Sequence, residues 1–166
     1  ILETPNRSFR IIPTHDVDHI FFYPGRIKFL YRFLKGYYNI KDLYRFIIRY
    51  NPYWTFPRLM EISEKRGLQS RFYFLSSSFT RRDNPNNYDH PMVKKLFHDI
   101  IERGHVIGLH GSFDSSENYD LLKSEKEKIE NAAGCEVRTG RQHYIRYSTI
   151  TTWKNWDDHG MSEDKT

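Results

Sequence analysis

Gly104-His105-Val106-Ile107-Gly108-Leu109-His110-Gly111-Ser112-Phe113-Asp114 is a short apolar run that begins at a glycine and ends in polar groups. Val106, Ile107 and Leu109 predict a buried strand over 105–109, with His110 opening the loop at its tip. Far upstream, Thr14-His15-Asp16-Val17-Asp18 follows another apolar run, 9–13, which predicts a first buried strand with Asp16 and Asp18 just past its end. The two strand ends offer an Asp, a His and a further Asp for a metal, with one carboxylate left over as a base. That set suits metal-assisted hydrolysis.

The rest of the chain supplies alternating elements. Thr55 caps a helix that runs through Leu59 and Ile62 to a stop at Gly67, with Pro57 in its first turn. Arg71 to Leu75 predicts a second strand, and the Asn-, Asp- and Pro-rich stretch 76–90 a loop. A helix follows from Pro91, with Val93, Leu96, Phe97, Ile100 and Ile101 on one face, ending at Gly104. Leu121 to Ala133 predicts a helix whose mixed charges, Glu125 among them, form a solvated face. Cys135 to Thr139 predicts another strand leading to Arg141-Gln142-His143-Tyr144, and 151–159 a last helix. Alternating strands and helices with polar strand ends point to an α/β layer or barrel, whose sites lie at the carboxyl edge of the strands.

Residues 21–56 differ in character, with fourteen aromatics among seven Lys or Arg and a single Asp. Ile27, Leu30, Tyr31 and Leu34 keep i, i+3, i+4, i+7 spacing, as do Leu43, Phe46, Ile47 and Tyr50. Two short amphipathic helices are expected, separated near Gly36 and closed by Asn51-Pro52.

Composition sets the outer bounds. The 166 residues suffice for one domain with a core, and 38% hydrophobic content is ordinary. Twelve Tyr, twelve Phe and three Trp supply flat surfaces suited to core or to sugar rings. A net charge of +5 favours anionic partners, but no unbroken Lys/Arg run exists, so nucleic acid is not expected. Cys135 is alone, which excludes an internal disulfide and leaves a buried or idle thiol. No run has the apolar length of a spanning helix, and Ile1-Leu2-Glu3 has neither an initiator Met nor a signal-peptide pattern. The expectation is a piece of a longer or processed protein, leaning to the cytoplasm.

Side chains two apart in an extended segment point the same way, so Asp16 and Asp18 share a side: one can bind metal while the other faces its water. The bland alternative for the pair is a loop or turn. His110 and Asp114, four apart, fit one ion through a helical turn or tight loop, and the alternative for His110 is a hydrogen-bonded structural histidine. Arg141 is a candidate to hold a carboxylate ionised by a charge-assisted pair, against a plain surface role.

From Arg58 to Tyr144 the chain resembles the polysaccharide deacetylase family, the NodB-homology domain of carbohydrate esterase family 4. Residues 59–74, Leu-Met-Glu-Ile-Ser-Glu-Lys-Arg-Gly-Leu-Gln-Ser-Arg-Phe-Tyr-Phe, resemble that family's helix, glycine and aromatic strand. His90-Pro91-Met92-Val93 and the run 104–110 resemble its second helix and Gly-His-Glu-Ile-Gly-x-His segment. Asp16-Val17-Asp18 is closest to the form found in some peptidoglycan deacetylase-like members. The resemblance implies a partial, distorted (β/α) barrel carrying 21–56 as a helical insertion after the first strand, within a single incomplete domain over 1–166 that lacks the later barrel strands.

The resemblance also implies roles. Asp16 would be the catalytic base, Asp18 and His110 metal ligands, and Arg141 the residue that orients the base. Tyr144 would close an Arg-x-Pro-Tyr-like motif whose backbone amide helps stabilise an oxyanion, with His143 replacing the proline. The second histidine of His-x-x-x-His is Asp114 here, so the expected metal set is Asp18, His110 and Asp114, a harder and more negative site. Zinc is the first expectation and another transition metal the second. The later histidine motif, which supplies the general acid, lies beyond residue 166.

The implied activity is metal-dependent removal of acetyl groups from an N- or O-acetylated polysaccharide. Two alternatives stay open, an amidohydrolase acting on a small-molecule C–N bond and a non-catalytic carbohydrate-binding relative. The partner is a glycan, acidic or lipid-linked. Residues 21–56 are either a helical subdomain packed over the barrel or a grip for such a glycan or a membrane surface.

Overall fold

A computed structural model describes residues 10–23, 25–77, 83 and 86–166. Its elements in chain order are β1 (Thr14–Val17), α1 (Arg26–Leu34), α2 (Ile40–Ile47), α3 (Phe56–Glu64), β2 (Arg71–Leu75) and α4 (Pro91–Glu102). They continue with β3 (Val106–Gly111), α5 (Tyr119–Ala133), β4 (Thr139–Gln142), a 3-10 turn at His143–Ile145, α6 (Thr151–Asp158) and β5 (Glu163–Asp164). The strands form one parallel sheet in the order β1-β2-β3-β4-β5, open at both edges among the described residues. Sequential order in an all-parallel sheet is the arrangement of a (β/α) barrel wall, so the partial barrel with a helical insertion is the observed fold.

Parallel sheets are covered on both faces, and β2 is buried along its whole length. On the outer face Phe72 and Phe74 meet Phe56 of α3 and, through Phe74, Phe97 of α4. Val93, Leu96 and Ile100 of α4 and Leu122 and Ile129 of α5 complete this core. Each such side chain, fully buried, contributes about 1.5–3 kcal/mol. Ile101 turns out to lie on the exposed edge of α4. Gly134 closes α5 in the left-handed region, φ 68°, where a side chain would be strained.

The inner face is polar, and the register sets it. Asp16 lies opposite Tyr73, Tyr73 opposite Gly108, and His110 opposite Arg141. A Cβ on Gly108 would stand 2.3 Å from the Tyr73 ring and 2.8 Å from the Thr139 carbonyl, so only glycine lets that ring lie across β3. Tyr73 also hydrogen-bonds Thr139 Oγ1 at 3.2 Å and carries the Arg141 guanidinium 5.4 Å above its ring. Arg71, nearly buried on the same face, pairs with Glu163 and so ties β2 to β5.

Several expectations shift. The first strand begins at Thr14 rather than ending at Pro13, because the pairing with β2 runs through the polar segment; Asp16 is thereby inside the strand, and Phe9 lies outside the described residues. His110 likewise belongs to β3. Glu125 is fully buried instead of facing solvent, since it shares the inward side of α5 with Leu122 and Ile129. The strand expected over 135–139 lies instead at Thr139–Gln142, where it pairs with β3, and Cys135 lies at the surface.

Candidate active site

The carboxyl ends of β1, β3 and β4 converge on one group of side chains. Asp18 Oδ1 lies 3.4 Å from His110 Nε2 and 3.8 Å from His143 Nε2, and the two imidazole rings stand 4.8 Å apart between centroids. The three ligand atoms all fall within 4.8 Å of one another. Asn86 positions Asp18 by bridging two strand ends: its amide donates to the Asp18 and Leu75 carbonyls, each at 3.1 Å, and its oxygen accepts from the Ile20 N–H. The His110 ring beside Asp18 holds that carboxyl below the usual carboxylate range, against the opposing effect of burial.

Both rings are anchored from behind. His110 Nδ1 donates to the Arg141 carbonyl at 3.0 Å, and His143 Nδ1 to the Asp83 carboxylate at 2.7 Å. Asp83 is itself buried and its other oxygen accepts from the Phe113 N–H. With Nδ1 of each ring bound from behind, each ring turns its Nε2 toward Asp18 Oδ1, the arrangement in which an outer carboxylate or carbonyl fixes a metal-binding histidine. Two imidazole nitrogens and one carboxylate oxygen form a donor set suited to zinc and its neighbours. The spacings of 3.4 and 3.8 Å are close to the edge of about 3.3 Å set by tetrahedral bonds of about 2.0–2.1 Å. The residues present therefore fit a divalent metal.

Asp16 lies beside this group and is bound by Arg141, whose Nη1 donates to both carboxylate oxygens at 3.0 and 3.1 Å. Arg141 is fixed in turn by Thr14 Oγ1, by the Lys165 carbonyl at 2.7 Å and by the Tyr73 ring. Asp16 and Asp18 also border a cleft of about 380 Å³ that runs along β1 toward α3, lined with them by His15, His19, Tyr53, Phe56 and Phe72 but not by His110, His143 or Arg141. That volume accommodates a small organic group. Burial lowers the His15 imidazole from its ordinary value, and the ring stacks on Phe72.

Asp114 is placed elsewhere. Its carboxylate lies on the surface 4.0 Å from Arg146, and the position beside Asp18 and His110 is held by His143. Tyr144 follows with φ 59° and Ile145 with φ 54°, two consecutive side-chain-bearing residues in the left-handed region. For a β-branched residue this is a true outlier, at a cost of about 1–3 kcal/mol. The turn directs the Tyr144 ring onto Phe113 and His143. His143 and Asp83 carried signals in the sequence, a histidine two residues after Arg141 and an aspartate in the loop after β2, but their meeting depends on the β3–β4 register.

No family model matches the chain, and no curated protein matches it. Solved structures do. The chitin deacetylase from the fungal pathogen Colletotrichum lindemuthianum aligns with a TM-score of 0.54 and 16% identity, over 70% of this chain and 51% of that one. The fold is that of the NodB-like deacetylases of carbohydrate esterase family 4. A family 4 carbohydrate esterase from Streptomyces lividans, solved with acetate, aligns at TM-score 0.48 and 13% identity over 68% of this chain and 56% of that one. A CE4 family pseudoenzyme from Bacillus anthracis aligns at 0.49 and 19%, over 66% of this chain and 37% of that one. The chain thus spans between about two fifths and somewhat over half of the length of these esterase-fold structures.

Proposed function

We propose that this chain carries the metal-binding site of a hydrolase that removes acetyl groups from an acetylated polysaccharide. The observation that supports it is the convergence of Asp18, His110 and His143, each ring anchored through Nδ1, beside the Asp16–Arg141 pair. A divalent metal held by these three would lower the pKa of a bound water to about 7 and polarise an acyl oxygen. Asp16 accepts the proton of the attacking water. Arg141 keeps that carboxylate in place through Nη1 while Nη2 and Nε are held by Thr14 and the Lys165 carbonyl, a fork of donors that a lysine could not reproduce. The backbone amide at Tyr144, presented by the left-handed turn, is the candidate donor to the developing oxyanion. Tyr53 and Pro52 wall the cleft against the acyl-bearing sugar ring.

The test is elemental analysis of the chain and three variants, with acetate release from acetylated chitooligosaccharides and acetylated xylan. His143→Ala and His110→Ala should lose bound metal, and Asp114→Ala should retain it. Retention by both histidine variants overturns the ligand set. Bound metal without acetate release from either substrate would instead favour a carbohydrate-binding relative.

A further inference from the structure

The insertion carries two apolar stripes that the fold leaves uncovered. In α1, Ile27, Leu30, Tyr31 and Leu34 are all exposed, Ile27 at 89% and Leu34 at 76%, and the helix buries Phe29 instead. In α2, Ile40, Tyr44 and Ile47 are exposed, with Ile48 just beyond, whereas Phe46 turns inward and stacks on Phe29 at 3.9 Å. A basic row runs beside each stripe at helical spacing, Lys28, Arg32 and Lys35 along α1 and Lys41, Arg45 and Arg49 along and just past α2. Across 21–56 the only acidic residue is Asp42, whose carboxylate already binds Tyr23, Arg45 and the Asn39 N–H.

We propose that α1 and α2 dock on the surface of an anionic lipid bilayer, with their aliphatic stripes in the boundary between headgroups and acyl chains and their basic rows against the headgroup charge. Two features choose this occupant. Six of the exposed side chains are Ile or Leu, which enter hydrocarbon readily but offer no flat face to a sugar ring. The cation surplus repeats on both helices, which matches a continuous negative surface. With nine and eight residues the helices can lie on a bilayer but not cross it, and no helix among the described residues is long and apolar enough to do so. The insertion is clamped at its neck by Asn51, which accepts from the Phe22 N–H and donates to the Ile20 carbonyl. Tyr53, just beyond, stacks near His19 in the cleft wall. Docking therefore holds the cleft close to the lipid surface.

Co-sedimentation of the whole chain with vesicles of phosphatidylcholine alone, and with 30% phosphatidylglycerol, tests this without added metal, so failure of the metal centre does not affect the outcome. Binding to the anionic vesicles should be at least tenfold stronger and should fall at 500 mM salt. Each cation at such a surface is worth about fivefold, so Lys35→Glu with Lys41→Glu should weaken binding by about 25-fold or more. Leu34→Gln with Ile47→Gln should weaken it at unchanged circular dichroism. Equal binding to both vesicle types, no binding, or insensitivity to both double variants overturns the proposal. So does a wild-type dimer that Leu34→Gln with Ile47→Gln converts to monomer, which would assign the face to a second copy.

Discussion

Glu125→Gln should stabilise the protein, increasingly so as pH rises. Glu125 is fully buried in α5; one oxygen accepts from the Ser112 N–H at 3.0 Å and the other has no partner. Burial pushes its carboxyl up to about 7, against the opposing pull of the Ser112 hydrogen bond. The folded chain therefore keeps this proton up to about pH 7, whereas the unfolded chain releases it near 4.5. Between those values the folded state binds more protons, so its stability falls as pH rises and levels off above 7. The full cost is about 3 kcal/mol, from about 1.4 kcal/mol for each pH unit of separation. Glutamine keeps the acceptor for Ser112 and never ionises, so it removes that cost. Urea unfolding of both proteins at pH 5, 6, 7 and 8 should show a gap that grows from about 1 to about 3 kcal/mol. At this chain length that upper value amounts to about 6–12 °C in Tm. Parallel stability profiles for the two proteins would refute the reasoning.

Other substitutions test the site and its support. Asp83→Asn removes the carboxylate that anchors the His143 ring and should weaken zinc binding about 10- to 100-fold in a competition titration; unchanged affinity would remove Asp83 from the site. Asp16→Asn should keep the metal by elemental analysis while acetate release falls about 10²- to 10⁴-fold. Gly108→Ala would set a methyl against the Tyr73 ring and the Thr139 carbonyl, and urea unfolding should show a loss of about 1–3 kcal/mol.

The sequence was legible where local chemistry and tertiary use agree. Phe72, Phe74 and Leu75 form an apolar run bounded by polar residues, and Arg71–Leu75 is the strand expected there. Asp16, Asp18, His110 and Arg141 sit at strand ends because polar side chains interrupt buried strands only where the sheet meets its open rim. His143 was harder to place. Its bond to Asp83 spans 60 residues, and its approach to Asp18 requires β4 to lie in register on β3. The charged neighbours of Glu125 suggest a solvated face, yet its spacing to Leu122 and Ile129 is that of a buried one. The stripes of α1 and α2 show the opposite limit, since helical periodicity defines a face without naming what covers it. Their aromatic inner side, Phe29 on Phe46, has no distinct period of its own.

Strands that lie side by side in chain order have a consequence for synthesis. Asp16 and Arg141 are 125 residues apart in the chain, and at about 5–20 residues per second the ribosome needs roughly 6–25 s to cover that distance. In the second half of that interval, once Leu75 has been made, β1 and β2 can already be paired, but the Asp16 carboxylate has no guanidinium and Asp18 has at most one of its two imidazoles. The rim of the sheet is thus born electrically negative and is neutralised last, by β4 and the turn behind it. Anything that delays the segment around Arg141 and His143 leaves a folded wall with an unfinished mouth.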